Sequence, residues 1–216
     1  MGHSQTYDAI VLKTYDVGEA DRFCILITRE RGRLAVRAKA VRKTTSKMGA
    51  GLLALRRITV ELHEGRAGFI VTTLHKSESF QCSAMSAFNA SQQGMKILLA
   101  LLHDEEAVPE IFDATCAFLE GCKNDRAPLL QFIIRLLYLS GLLPDPKEQS
   151  IKWNVSREGT QFLTTCTLNS WNEVKKPPTE DTQRIQMRCE ELLRIHLTHP
   201  ITNIWDAQTE ERAMSF

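Results

Sequence analysis

Residues 33–41 read RLAVRAKAV, and their alternation decides how the first third of the chain folds. Arg33, Ala35, Arg37 and Lys39 occupy one parity, and Leu34, Val36, Ala38 and Ala40 the other. Successive side chains of a β-strand point to opposite faces. The pattern is therefore a strand with one face packed and the other turned to water. It lies inside a longer basic stretch, RERGRLAVRAKAVRKTTSK at 29–47, which holds eight Lys or Arg and a single acid, Glu30. The 216-residue chain as a whole has a formal net charge of only +1.

On either side of this strand the same period continues. YDAIVLKT at 7–14 precedes the turn YDVGEAD, and RFCILIT at 22–28 follows, with Phe23, Ile25 and Ile27 alternating as its core side. Arg31-Gly32 makes a tight turn, RKTTSKMGAG is a loop, and LRRITVELH at 55–63 alternates at Ile58, Val60 and Leu62 before EGRAG turns into FIVTTLHK. Five short strands in about 70 residues fit a small closed barrel better than an open sheet, whose edges would need protection. A five-stranded barrel with a basic face describes an OB-fold, a common single-strand binder.

From Ser83 the spacing becomes helical. SAMSAFNASQQGMKILLALLH is one candidate helix; PEIFDATCAFLEGC is another, with Pro109 in its first turn. PLLQFIIRLLYLSG opens on Pro128, ends on Gly141 and is apolar nearly all round, as a central helix would be. Residues 145–178 read as irregular and polar. Thr179, Glu180 and Asp181 then supply a cap and an acidic first turn for a last long helix that Pro200 stops. The expected fold class is α+β in two domains: an OB-fold β-barrel over 1–80 and an all-α helical domain over 81–216.

Charge divides at the same place. Residues 1–80 hold 14 Lys and Arg against 8 Asp and Glu, a net of +6, and residues 81–216 hold 13 against 18, a net of −5. This asymmetry suggests a polyanion partner for the first half. Hydrophobic content of 43% and charged content of 25% are ordinary globular values. No apolar run reaches the ~20 residues of a membrane span, and MGHSQTYD lacks the basic and apolar regions of a secretory signal. A soluble, cytoplasmic protein is expected.

The basic parity carries the functional reading. Arg33, Arg37 and Lys39 stand in a row opposite the core-facing side chains. Arg42, Lys43 and Lys47 extend the row into the loop, and Arg56 and Arg57 flank it on the next strand. Ten cations between 29 and 57 against one acid form an electrostatic groove for a nucleic-acid backbone, which gains affinity by releasing counterions. Aromatic residues are few: Phe23 and Phe69 read as core, and Tyr15, beside the Gly18 turn, is the exposed candidate for stacking. Binding is expected to be led by the backbone and indifferent to sequence.

Other constellations stay bland. The six cysteines (24, 82, 116, 122, 166 and 189) form no CxxC pair and read as small buried hydrophobes. His196 and His199 read as a surface or capping pair, and HDEE at 103–106 as a solvated connection. GAG at 49–51 lacks the Lys-Ser/Thr of a phosphate-binding loop and reads as a flexible loop. Trp153, Trp171 and Trp205 read as packing residues. No catalytic residue, cofactor or metal is expected.

The stretch YDAIVLKTYDVGEADRFCILITRERGRLAVRAKAVRKTTSKMGAGLLAL closely resembles the N-terminal domain of the RecO family of bacterial DNA repair and recombination mediators. The opening AIVLKT, the GEAD turn, LITRERGRLAVRAKAVRK with its trailing Ser-Lys, and GAGL carry it; weaker likeness continues into PEIFD, PLLQFIIRLLYLSGLLPD and LLRIHLTHPITN. The resemblance implies an OB-fold joined to a helical domain. It also implies binding of single- and double-stranded DNA, ATP-independent annealing of complementary strands, and help in loading RecA onto DNA coated by single-strand-binding protein, together with RecR. DNA contact carries over to Arg33, Arg37, Lys39, Arg42, Lys43 and Lys47. A pocket for the acidic tail of single-strand-binding protein carries over to Phe132, Ile134, Arg135 and Leu136, with Arg188 or Arg194; Leu130-Gln131 depart from relatives with arginine there. Many relatives carry a four-cysteine zinc module after the central helix, of which this sequence keeps only Cys166, so no structural zinc is expected. Two rival classes are an OB-fold RNA-binding protein and a metal-dependent nuclease.

Overall fold

The strands and helices follow one another without interleaving. In a computed structural model, which describes residues 3–46, 48–126, 128–168, 174–197 and 204–205, five strands come first: β1 (His3–Val17), β2 (Asp21–Thr28), β3 (Gly32–Ala38), β4 (Arg56–Gly65) and β5 (Gly68–Ser79). Six helices follow: α1 (Met85–Leu101), α2 (Pro109–Lys123), α3 (Leu129–Leu139), α4 (Pro146–Lys152), α5 (Arg157–Thr167) and α6 (Thr179–His196). The fold class is α+β, as the sequence indicates.

The strands close into a barrel in the order β1-β2-β3-β5-β4. Long β1 pairs with both β2 and β4, which seals it. Every pairing is antiparallel except β3 with β5, which is parallel and runs only through Val36–Phe69 and Arg37–Ile70. The interior is filled by Tyr7, Ala9 and Val11 of β1, Cys24 and Leu26 of β2, Leu34, Val36 and Ala38 of β3, Ile58, Val60 and Leu62 of β4, and Phe69 and Val71 of β5. For β3 and β4 this is the parity that alternation marks.

For β2 it is the opposite parity. Both parities of RFCILIT are apolar, so alternation alone cannot choose a face. The pairing chooses: Cys24 lies across from Val36 and Leu26 across from Leu34, and these point inward. Phe23, Ile25 and Ile27 therefore face outward. Ile27 is nonetheless buried, as is its cross-strand neighbour Ile10. Ile10 pairs in turn with Arg57, whose guanidinium lies 5.9 Å from the Phe112 ring of α2, so the start of α2 covers this side of the barrel.

Contacts divide the chain into Met1–Gln81 with Leu102–Leu119, and Cys82–Leu101 with Glu120–Phe216. In the second unit α3 buries Leu129, Leu130, Phe132, Ile133, Ile134, Leu136 and Leu137, so an all-round apolar helix lies within the core. The stretch 145–178 is not irregular throughout, since it contains α4 and α5. Asp145 caps α4 by accepting from the Lys147 N–H, with Pro146 in the first turn, and Ser156 caps α5 by accepting from the Gly159 N–H. Buried Asp181 accepts from the Ser156 hydroxyl (2.5 Å) and amide (3.2 Å), so the acid expected in the first turn of α6 also anchors α5. Among the described residues, no helix is long and apolar enough to cross a membrane.

Candidate nucleic-acid interface

Along β3 the outward parity carries Arg33, Ala35 and Arg37, with Lys39 just beyond. The two ends of this row have different surroundings. At the near end Arg31 binds Glu64 (2.7 Å) and Glu105 (2.5 Å). It also lies 4.9 Å from the Phe69 ring, and these carboxylates hold its guanidinium more firmly charged than usual. Arg33 binds Asp104 at 2.7 Å, which keeps that carboxyl below its usual range. The backbone agrees: Asp104 bridges to Arg33 in parallel, and the Glu105 N–H donates to the Arg33 carbonyl at 3.0 Å. The stretch 103–106, expected to be a solvated connection, is exposed yet fastened along the edge of β3.

At the far end the chain turns back. Ala40 is in the left-handed region (φ 55), a conformation that costs a non-glycine residue roughly 1–2 kcal/mol. Asp21 holds the turn by accepting from the Ala40 N–H (2.8 Å) and from Arg37 (2.9 Å). These donors keep its carboxyl below the usual range. Arg42 donates to the Gly18 carbonyl at 2.9 Å and meets Asp16 at 3.3 Å, while its own N–H reaches the Ala20 carbonyl. Arg37, Lys39, Arg42 and Lys43 are thus gathered beside the β1–β2 turn. Lys39 and Lys43 are exposed and make no ion pair among the described residues. Surface ion pairs contribute about 0–1 kcal/mol, and the half-exposed guanidinium of Arg37 and the exposed carboxylate of Asp16 leave room for a phosphate to compete.

The remaining expected cations lie elsewhere. Lys47 is outside the described residues. Arg56 and Arg57 do not flank the row, because β5 lies between β3 and β4. Arg57 forks onto Asp8 (3.1 and 2.6 Å), and Arg56 donates to the Ser77 hydroxyl at 3.1 Å. The GAG loop is packed: a Cβ on Gly49 would fall 2.4 Å from the Val41 carbonyl and one on Gly51 2.3 Å from Leu74, and the Gly49 carbonyl accepts from Arg22.

In the helical unit Phe132, Ile134 and Leu136 are fully buried and Arg135 is 6% exposed. Phe132, Arg135 and Leu136 stand at i, i+3 and i+4 and share one face of α3, from which Ile134 points away. Arg188 and Arg194 of α6 are paired with Glu191 (2.7 Å) and Glu190 (3.0 Å). His199 and Trp171 lie outside the described residues. Burial pushes the thiols of Cys24 and Cys116 up to about 11 and those of Cys122 and Cys189 to about 12, leaving them uncharged packing groups at neutral pH. Among the described residues no group of three or more His, Cys, Asp or Glu is placed to hold a metal ion.

Two contributors escape the sequence reading. One is the acidic stretch 104–106, whose distance along the chain from β3 hides its role. The other is Phe23, which faces out beside Tyr15; only the strand register reveals it. Compared with known families, residues 1–83 match the family described as Recombination protein O N terminal.

Proposed function

The chain belongs to the RecO family through its N-terminal domain, a family of DNA recombination and repair, and on that premise we propose that it is a non-enzymatic mediator. In this reading the barrel binds single- and double-stranded DNA by its backbone and anneals complementary strands without ATP. It then helps load RecA onto DNA coated by single-strand-binding protein, acting with RecR in the cytoplasm at the nucleoid. The observation that carries the DNA-binding step is the cluster of Arg37, Lys39, Arg42 and Lys43 beside the β1–β2 turn, with Lys39 and Lys43 unpaired among the described residues. Such a cluster neutralises phosphates and so lowers the repulsion that two annealing strands must overcome. Half-buried Arg188 and exposed Arg194 of α6 are the members of the expected tail-binding set that an acidic peptide would meet at the surface.

The test is fluorescence anisotropy of a labelled single strand against salt, for wild type and Lys39→Glu/Lys43→Glu. Each lost phosphate contact lowers the log–log slope by roughly 0.7, so the variant should flatten it by about 1.4. An unchanged slope would move the DNA off this surface. Preferential binding of an RNA strand of the same sequence would favour the RNA-binding class instead.

A further inference from the structure

The outward face of the barrel has a covered half and an open half. On the covered half Ile10 and Ile27 are buried. The open half begins where the β1–β2 register shifts between Val11 and Lys13. Past that bulge the outward residues of β1 become Lys13, Tyr15 and Val17. Two cross-strand rows follow from the pairing: Tyr15–Phe23–Arg37, and Lys13–Ile25–Ala35. Directly opposed side chains in an antiparallel pair have Cβ atoms about 5 Å apart, so the rings of Tyr15 and Phe23 are neighbours. Tyr15 is 46% exposed and Val17 40%, and Phe23 and Ile25 are half-buried. A solvated strand face is ordinarily polar; this one is apolar in its middle, with cations beside it and Asp21 across from Val17 at the turn. The Lys13 ammonium lies 4.8 Å from the Tyr15 ring centroid, Arg37 ends the aromatic row, and Lys39 follows.

We infer that Tyr15 and Phe23 are a stacking platform for two bases of a single strand whose phosphates run past Lys13, Arg37, Lys39 and Lys43. The inference rests on the DNA-binding reading above and adds to it a contact with the bases. Two adjacent rings suit successive bases, since every base has a π-face, and the surrounding cations suit the phosphates that connect them. A protein partner with an apolar patch would gain nothing from Lys13, Arg37, Lys39 and Lys43 unless it were itself acidic. In a duplex the bases are already stacked and their faces closed, so the platform favours single strands, whatever their sequence.

The test uses the full chain and two labelled probes of equal length, an oligo-dT strand and a strand of abasic residues with the same phosphates but no bases. Stacking is lost at roughly 5- to 150-fold per base on removal of the ring. Wild type should therefore bind oligo-dT at least about tenfold tighter than the abasic strand. Tyr15→Leu/Phe23→Leu should lose most of that preference while keeping its affinity for the abasic strand and its salt slope there. Phe23→Trp keeps a ring and should keep the preference, and its added fluorescence should be quenched by oligo-dT and not by the abasic strand; this arm stands if the double variant fails to fold. Equal wild-type binding of both probes with a steep salt slope would overturn the platform and leave the phosphate groove intact. Binding of neither probe, or a slope insensitive to Lys39→Glu/Lys43→Glu, would overturn the DNA-binding reading itself. A preference that survives Tyr15→Leu/Phe23→Leu unchanged would place the base contact elsewhere and sink the platform.

Discussion

The two ends of β3 carry the same residue types and do opposite work. At the near end Arg31 and Arg33 face Glu64, Asp104 and Glu105, and their charge is consumed in fastening residues 103–106 to the strand edge. At the far end Arg37 meets Asp21 and Arg42 meets Asp16, while Lys39 and Lys43 have no ion pair among the described residues. A count of charge along the sequence treats all of them alike. What separates the far end is its surplus: Lys39 and Lys43 stand there beyond the cations that the local acids meet. The near end also solves an edge problem: β5 pairs with β3 only at Val36 and Arg37, and the free edge at Gly32-Arg33 is covered by the 103–106 backbone.

The largest effect that follows is on stability. Gly32 has φ +68, and a Cβ there would fall 2.0 Å from the Glu106 carbonyl oxygen. Gly32→Ala combines backbone strain with a collision against backbone and should cost about 3 kcal/mol or more. Gly18 at the far end has a similar φ of +56 with nothing within 4 Å, so Gly18→Ala should cost only about 1 kcal/mol. Urea denaturation of the two variants measures the contrast. Equal costs would mean that the 103–106 clamp is not rigid.

The comparison sharpens further if the near end can be made to behave like the far end. Asp104→Asn/Glu105→Gln removes a carboxylate from Arg33 and one from Arg31, which keeps Glu64. Arg33 shares its outward parity with Arg37, so removing the negative charge beside it should extend the positive potential of the groove. Salt titration against a single strand should then steepen by about 0.7, with affinity at low salt raised roughly threefold. Arg33→Gln alone should leave the slope nearly unchanged, because in the wild type that guanidinium is already held. A slope that flattens on Arg33→Gln would erase the distinction between the ends.

How far the sequence reveals this depends on how local the deciding contact is. The parity of β3 and β4 is legible because one face is polar, and α3 is legible because a helix apolar all round belongs in a core. The face of β2 is not, since Phe23, Cys24, Ile25, Leu26 and Ile27 are all apolar and only the register with β3 decides; the stacking candidate is misread for that reason. Short α4 and α5 hide in polar composition, although Asp145-Pro146 and Ser156 are start signals. Arg56 and Arg57 are adjacent to the row in sequence and displaced from it by β5 in space. The pairing of Arg33 with Asp104 joins residues 71 apart, beyond the reach of any pattern along the chain.

The smallest expected effect is a pH dependence that separates the ends by their acids. The carboxyl of Asp21 is held below the ordinary range by the Ala40 N–H and by Arg37, and that of Asp104 by Arg33. A depressed carboxyl contributes stability that is complete above its unfolded value of about 3.9 and is lost as pH falls through the lower folded value. The thermal midpoint of the wild type should therefore decline below about pH 4. Asp21→Asn should melt below wild type at pH 5.5, and the gap should close toward pH 2.5, where the protonated acid resembles the amide. Asp104→Asn should behave the same way with a narrower gap. Its side chain is 68% exposed against 20% for Asp21, and water screens an exposed pair. Asp21 also accepts a backbone N–H that Asp104 lacks an equivalent of among the bonds that depress it. A gap for Asp21→Asn that stays constant with pH would mean that its shape rather than its charge holds the turn at Ala40, and the cations of the far end would then be positioned without electrostatic help.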